Sequence, residues 1–252
     1  MPAPGGRATG SRAAGRPALG IATLSRGLAD RARAGQHIVL WGPRGSGKST
    51  LLGAIERRIG STPSARTDRT ATLEDVTGAL ERAYPRTPTR GVPRKVARVR
   101  LWVAADRDPA VLLLDHATGI GTAMKGWLRR LRGGIAGIVL AVDVDSSRER
   151  AALRRFRLGS AAVRIPRLSS PLAATLRRRE WAEQRLPELP TVVARALLRG
   201  AQGRPGWIVL CSSLAADPRY WRAGALSSAI LRTDTEMALR GAPFGGGRGA
   251  AD

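Results

Sequence analysis

Short aliphatic and β-branched runs alternate with stretches of helical period along the first two thirds of the chain. HIVLW (37–41) is an unbroken apolar run, the mark of a strand buried on both faces of a parallel sheet. AVLLLDHATGIG (110–121) opens with Val111 to Leu114 and then reaches Asp115. IAGIVLAVDVD (135–145) is another buried strand, tipped by Asp143 and Asp145, and AAVRIPRL (161–168) reads as a last short one. In STLLGAIERRIG (49–60), Leu51, Leu52, Ile55 and Ile59 recur at helical spacing, and Gly60 stands where a helix stops. A helix from Thr72 shows Leu73, Val76, Leu80 and Ala83 on one face, with Thr72 and Asp75 spaced as a capping box. Further helices are expected in VARVRLWVAAD (96–106), GTAMKGWLRRLRGG (121–134) and SSRERAALRRFRLGS (146–160). STPSARTDRT (61–70) is turn-rich with room for an edge strand, and PRTPTRGVPRK (85–95) is a proline-broken basic loop. Strands and helices in alternation predict a three-layer α/β domain with a parallel sheet over 20–168.

The pattern changes at Ser169. Residues 169–241 are helical in period, interrupted by LPELP, GRPG and ADPR, and predict a small helical lid domain. Trp181, Trp207 and Trp221 within it read as core. The flanks, a basic Gly/Pro/Ala-rich stretch over 1–19 and APFGGGRGAAD over 242–252, are expected to be disordered tails. No internal repeat is evident.

Composition adds a strong charge. With 43 Lys+Arg against 19 Asp+Glu, the 252 residues carry a formal charge of +24, and the only lysines are Lys48, Lys95 and Lys125. Enrichment in Arg, Ala and Gly is what a GC-rich genome produces, but such bias exchanges Lys for Arg without removing acids. A surface this basic attracts polyanions, so nucleic acid is the expected partner. An acidic protein partner, or crowded charge with no partner, stays open. There is no zinc-finger spacing, no aromatic-interleaved single-strand platform and no recognisable helix-turn-helix. One cysteine, Cys211, excludes internal disulfides and a cysteine zinc site. No apolar run approaches the ~20 residues of a membrane span, and the N-terminal stretch has no apolar h-region. A cytoplasmic protein without membrane association is the expectation.

The chemistry is concentrated in WGPRGSGKST (41–50). Gly42, Gly47, Lys48 and Ser49 complete Gly-x-x-x-x-Gly-Lys-Ser, the Walker A loop, between a strand and a helix as its mechanism requires. Glycines let consecutive N–H groups turn inward, and the helix start adds its positive dipole end. The candidate ATP site is Gly42, Pro43, Arg44, Gly45, Ser46, Gly47, Lys48, Ser49 and Thr50. Lys48 would reach the β- and γ-phosphates, Ser49 would ligate Mg²⁺, and Thr50 would lie near the α-phosphate. Asp115, at the C-terminal tip of its strand where open α/β sheets bind ligands, would hold Mg²⁺ through water opposite Ser49. Its distance along the chain suits a strand passing beside the loop.

Taken in order, the loop, the Asp115 strand, the polar-tipped strand at Asp143 and the helical C-terminal region resemble an AAA+ P-loop ATPase. The likeness is strongest to bacterial origin-recognition and transposition-helper ATPases, over residues 20–240. It implies ATP-driven assembly or remodelling by nucleotide-dependent homo-oligomers that hold ATP·Mg²⁺ between subunits. The family places Glu after the metal-binding Asp, to polarise the attacking water; here His116 stands there. A neutral imidazole would be a weak, pH-dependent base, so slow turnover is expected; alternatively His116 only satisfies hydrogen bonds at the strand end. Asp143 takes the place of the family's polar strand-end residue, to align water or to pair with an arginine. The family's lid arginine, in a G-x-P-R turn, corresponds to Gly206 in GRPG (203–206), with Arg204 offset by two, and a plain helix turn is expected. Arg148, Arg150, Arg154, Arg155 and Arg157 are candidates for an arginine acting in trans.

The leading function is therefore an ATP-binding hydrolase or ATP-dependent switch acting on nucleic acid or on a DNA-bound complex. An ATP-gated assembly module without useful hydrolysis and a P-loop small-molecule kinase remain as alternatives. No LSGGQ-like signature or NKxD motif supports an ABC ATPase or a GTPase.

Overall fold

A computed structural model describes residues 21–68, 72–117, 122–131, 133–145 and 161–241. Its centre is a five-stranded, all-parallel sheet of β1 (Ile38–Gly42), β2 (Ser64–Thr67), β3 (Ala110–Leu114), β4 (Ile135–Asp143) and β5 (Ala161–Arg164), in the order β2-β3-β4-β1-β5. The unbroken apolar run of β3 is buried at every position. Alternation sends its side chains to two different cores. Leu112 and Leu114 meet Val76, Leu80, Leu101 and Leu128 on one face. Val111 and Leu113 meet Leu28, Leu52 and Ile55 on the other.

The first face is covered by α3 (Leu73–Ala83), α4 (Arg94–Arg107) and α5 (Thr122–Leu131), the second by α1 (Ile21–Arg33) and α2 (Lys48–Ile59). The capping box starts α3 as expected: Thr72 Oγ1 accepts from Asp75 N at 3.2 Å, and Asp75 Oδ2 accepts from Thr72 N at 2.7 Å. Helix α4 buries Ala97, Leu101 and Ala105 while exposing Val96, Val99 and Val103. Helix α1 is an element the apolar pattern above does not assign. Its buried face is built from Ser25, Leu28, Ala29 and Ala32, small residues that carry a weak periodic signal but pack closely.

The strand carrying Asp115, read as passing beside the loop, is not the direct neighbour of β1. The strand beside β1 is β4, with Gly42 opposite Asp143; β3 lies one strand further out. Parallel strands need long crossovers, so neighbours along the chain are not obliged to be neighbours in the sheet.

Residues 161–241 continue from β5 into α6 (Ser170–Glu183), α7 (Thr191–Ala201), α8 (Pro205–Leu214) and α9 (Ser228–Leu239). Trp181, Trp207, Ile208, Tyr220 and Leu231 form their common core, with Trp221 packed against it. Before α9 comes a 3₁₀ turn, Pro218–Tyr220, and a small antiparallel hairpin of β6 (Trp221–Arg222) and β7 (Ala225–Leu226), where only helix was expected. Cys211 is buried here and its thiol is pushed up to about 12 by burial. Among the described residues, no helix is long and apolar enough to cross a membrane.

Candidate nucleotide site

Strand β1 ends at Gly42, and α2 begins at Lys48 with Gly47 as its cap. Gly45 and Gly47 have φ of 76° and 92°, a left-handed backbone that side chains rarely adopt. Between them the chain turns back on itself through Ser46 N to Pro43 O, 3.2 Å. Lys48 lies under this loop, 5% exposed. Its ammonium donates to Gly42 O at 2.9 Å, Pro43 O at 2.8 Å and Ser46 Oγ at 3.3 Å, and lies 2.8 Å from Asp143 Oδ1.

Asp143 is thus the carboxylate that meets the lysine, because β4 adjoins β1. It is 5% exposed, and its Oδ2 lies 3.4 Å from His116 Nδ1 and 3.6 Å from Arg44 Nε. Burial by itself raises its pKa; the His116 hydrogen bond and the Lys48 charge outweigh burial and hold it at about 2. The same hydrogen bond, donated by His116 to Asp143, raises the pKa of His116 above 6.5, against the lowering effect of burial. The neutral base expected at 116 is therefore a group whose protonated form this site favours. His116 also sits at φ 47°, a left-handed position for a non-glycine residue.

Asp115 ends β3, 3% exposed, and its Oδ1 accepts the His116 backbone N–H at 2.9 Å. It does not border the cavity of about 310 Å³ in front of the loop; that cavity is walled by Lys48, Ser49, Thr50, His116, Asp143 and Gly206, among others. No group of three or more His, Cys, Asp or Glu side chains among the described residues forms a metal cage. A divalent ion here would take few protein ligands and complete its shell with phosphate and water, as Mg²⁺ does. The Ser49 hydroxyl borders that cavity; Asp115 lies behind it and would reach such an ion only through water.

The helical part touches the loop directly. Gly206 N donates to Gly45 O at 2.8 Å. A Cβ at 206 would lie 2.9 Å from Gly45 Cα, so glycine is required by this approach. Arg44 is held from both sides, its backbone N–H donating to Asp145 Oδ1 at 3.0 Å and its Nη1 to Leu239 O at 3.2 Å. Arg204 caps α8 and turns away from the loop, donating to Ala201 O at 3.1 Å and pairing with Glu236. The GRPG segment is the helix turn expected, and its glycine is what lets the loop and α8 meet.

Behind Gly47 lies a second, mainly apolar cavity of about 660 Å³, bordered by Ile21, Leu24, Ile165, Leu172 and Pro205. Of these residues the sequence pointed only to Pro205, within the GRPG turn. The signal for Ile21 and Leu24 was the i, i+3 spacing that opens α1. The arginines considered for a trans role, Arg148 to Arg157, lie outside the described residues, as do both tails.

A parallel sheet with a glycine loop between β1 and α2, and a helical part seated on that loop, is a P-loop ATPase fold. The sequence matches no family model and no curated protein. Among solved structures it is similar to a Walker-type ATPase of Pyrococcus abyssi, at 16% identity and a TM-score of 0.54, over 86% of this chain and 71% of that one. Domain III of the replication initiation protein DnaA from Thermotoga maritima aligns at 14% identity and a TM-score of 0.49, over 84% of this chain and 91% of that one. The likeness to the Pyrococcus abyssi ATPase shows the fold alone.

Proposed function

We propose that the protein is an ATP-gated switch that acts on nucleic acid or on a nucleic-acid-bound complex, with slow hydrolysis as its reset. The observation that carries this reading is the hydrogen bond from Gly206 N to Gly45 O, which ties the helical part to the phosphate loop itself. A triphosphate entering the loop would share Lys48 with Asp143 and contact the segment whose Gly45 carbonyl holds α8, and so would bear on the position of α8.

The fit of ATP rests on the left-handed turn of Gly45 and Gly47, the buried ammonium of Lys48 and the apolar cavity behind Gly47. Backbone N–H groups at the α2 start bind phosphate oxygens, and the apolar cavity takes the base. Ser49 would hold Mg²⁺ and Asp115 would hold it through water, and the ion would supply positive charge to the phosphates. Lys48 exchanges its contact with Asp143 for the phosphate oxygens. His116 and Asp143, paired beside the same cavity, would position water; an imidazole already engaged with Asp143 is a weaker acceptor than the expected Glu, so slow turnover is expected. The formal charge of +24 supports a nucleic-acid partner. The resemblance to AAA+ ATPases supports nucleotide-dependent oligomers, and the ATP requirement a cytoplasmic site of action.

The test is binding of a fluorescent ATP analogue and steady-state hydrolysis at low salt, with and without DNA, beside Lys48→Ala. A donor–acceptor dye pair on α2 and α9 reports the position of the helical part. Lys48-dependent binding that changes energy transfer is expected. Binding with no change in transfer would overturn the switch; absence of binding would overturn the site.

A further inference from the structure

The seam between the sheet and the helical part carries a groove that adjoins the nucleotide site, sharing Pro43 and Arg44 with the phosphate loop and Arg164 and Arg167 with the cavity behind Gly47. Two adjoining cavities, of about 830 and 470 Å³, share Gln202, Glu236 and Arg240 as a common wall. Arg199 and Arg232 border the first; Arg164 and Arg167 border the second. These five arginines are exposed, and among the described residues none has a carboxylate partner. The two acids in the groove are already engaged: Asp145 lies 3.5 Å from Arg44 Nε, and Glu236 pairs with Arg204. The floor is therefore internally paired and the rim is uncompensated positive charge. One wall also offers a stacking surface, since the Arg164 guanidinium lies over the Trp41 ring, 5.4 Å from its centroid.

We propose that this groove binds the phosphodiester backbone of a single nucleic-acid strand. A row of exposed arginines suits a ligand with repeated negative charge, and planar guanidinium on an aromatic ring suits an unstacked base. The inference rests on the nucleic-acid reading above and assigns it a place and a form. Arg44 and the Arg204–Glu236 pair border the groove; Arg44 also ties the phosphate loop to the helical part through Leu239 O, and the pair braces α8 against α9. Strand and nucleotide are therefore coupled through one set of contacts, and by linkage each alters the affinity of the other.

The experiment uses the full chain and fluorescence anisotropy of a labelled oligo(dT) of about 20 nucleotides, several times a typical strand-binding site. Duplex DNA and poly-glutamate serve as competitors. The double variant Arg199→Glu/Arg232→Glu is compared with Lys95→Glu/Arg98→Glu on α4, an equal charge change away from the groove, each checked by its melting curve. The groove pair is expected to weaken binding at least ~10-fold and to flatten the log–log salt dependence by about 1.4, two contacts at ~0.7 each for a single strand. The α4 pair is expected to have a several-fold smaller effect, and ATP to shift wild-type affinity but not that of Lys48→Ala. Equal losses in the two double variants would overturn the groove and leave the nucleic-acid reading standing. Poly-glutamate or duplex competing as well as oligo(dT) would overturn the strand assignment in favour of that ligand. No binding of any nucleic acid would overturn both.

Discussion

Two strands of the sheet end in a buried aspartate, and they do different things. Asp115, at the tip of β3, turns one oxygen to its neighbour's backbone N–H. Asp143, at the tip of β4, gathers Lys48, His116 and Arg44 within 3.6 Å. Their exposures, 3% and 5%, are nearly equal, so burial does not separate them. Position in the sheet does. β4 pairs with β1 and sets its aspartate opposite Gly42, against the start of the phosphate loop, whereas β3 is one strand away. The lesson is that a carboxylate's role follows from which cation its strand's neighbour delivers.

The sharpest way to test that difference is through the shared lysine. Lys48→Ala is expected to lower ATP affinity about 100-fold, the scale of a lost charge-assisted phosphate contact of about 2.7 kcal/mol. The two aspartates should then part company. Asp115→Asn is expected to cut Mg²⁺-dependent hydrolysis about 100-fold through loss of a metal contact, with ATP affinity little changed. Asp143→Asn should tighten ATP several-fold, because phosphate no longer competes with a carboxylate for the ammonium. Titration calorimetry beside a phosphate-release assay distinguishes them; identical behaviour of the two variants would erase the contrast. Gly206→Ala tests the other side of the loop. Its Cβ would crowd Gly45, at a cost of about 1–3 kcal/mol as for other overpacked sites. Thermal melting and the α2–α9 dye pair should report a destabilised, displaced helical part.

The smallest expected effect is on pH dependence. His116 has a raised pKa in the folded protein, so its contribution to stability is full below 6.5 and is lost as pH rises through the raised value. Asp143 is depressed from 3.8 to about 2, so its contribution is full above 3.8 and is lost as pH falls toward 2. His116→Asn keeps a residue that tolerates positive φ while removing the titration. The difference in melting temperature between wild type and this variant should shrink with rising pH above 6.5. A difference that grows instead would show that His116 is stabilised in its neutral form.

What the sequence determined by itself was local. The Walker A loop, the runs of β1, β3 and β4, the Thr72–Asp75 cap and the helical period after Ser169 all depend on backbone preferences or on periodicity within one element, and each stands where its residues imply. Helix α1 escaped because small residues line much of its buried face, and the Trp221–Leu226 hairpin because two residues per strand are too few to show alternation. Tertiary structure alone decided the rest. Sheet order comes from pairings across long crossovers, which carry no local period, and it gave Lys48 to Asp143. The Gly206–Gly45 contact joins segments far apart in the chain, so the glycine in GRPG gained its meaning only when α8 was seated on the loop. The arginine groove is assembled from β5, α7 and α9 in the same way: charge was legible as a total, but where it is left unpaired depends on which acids the fold brings near.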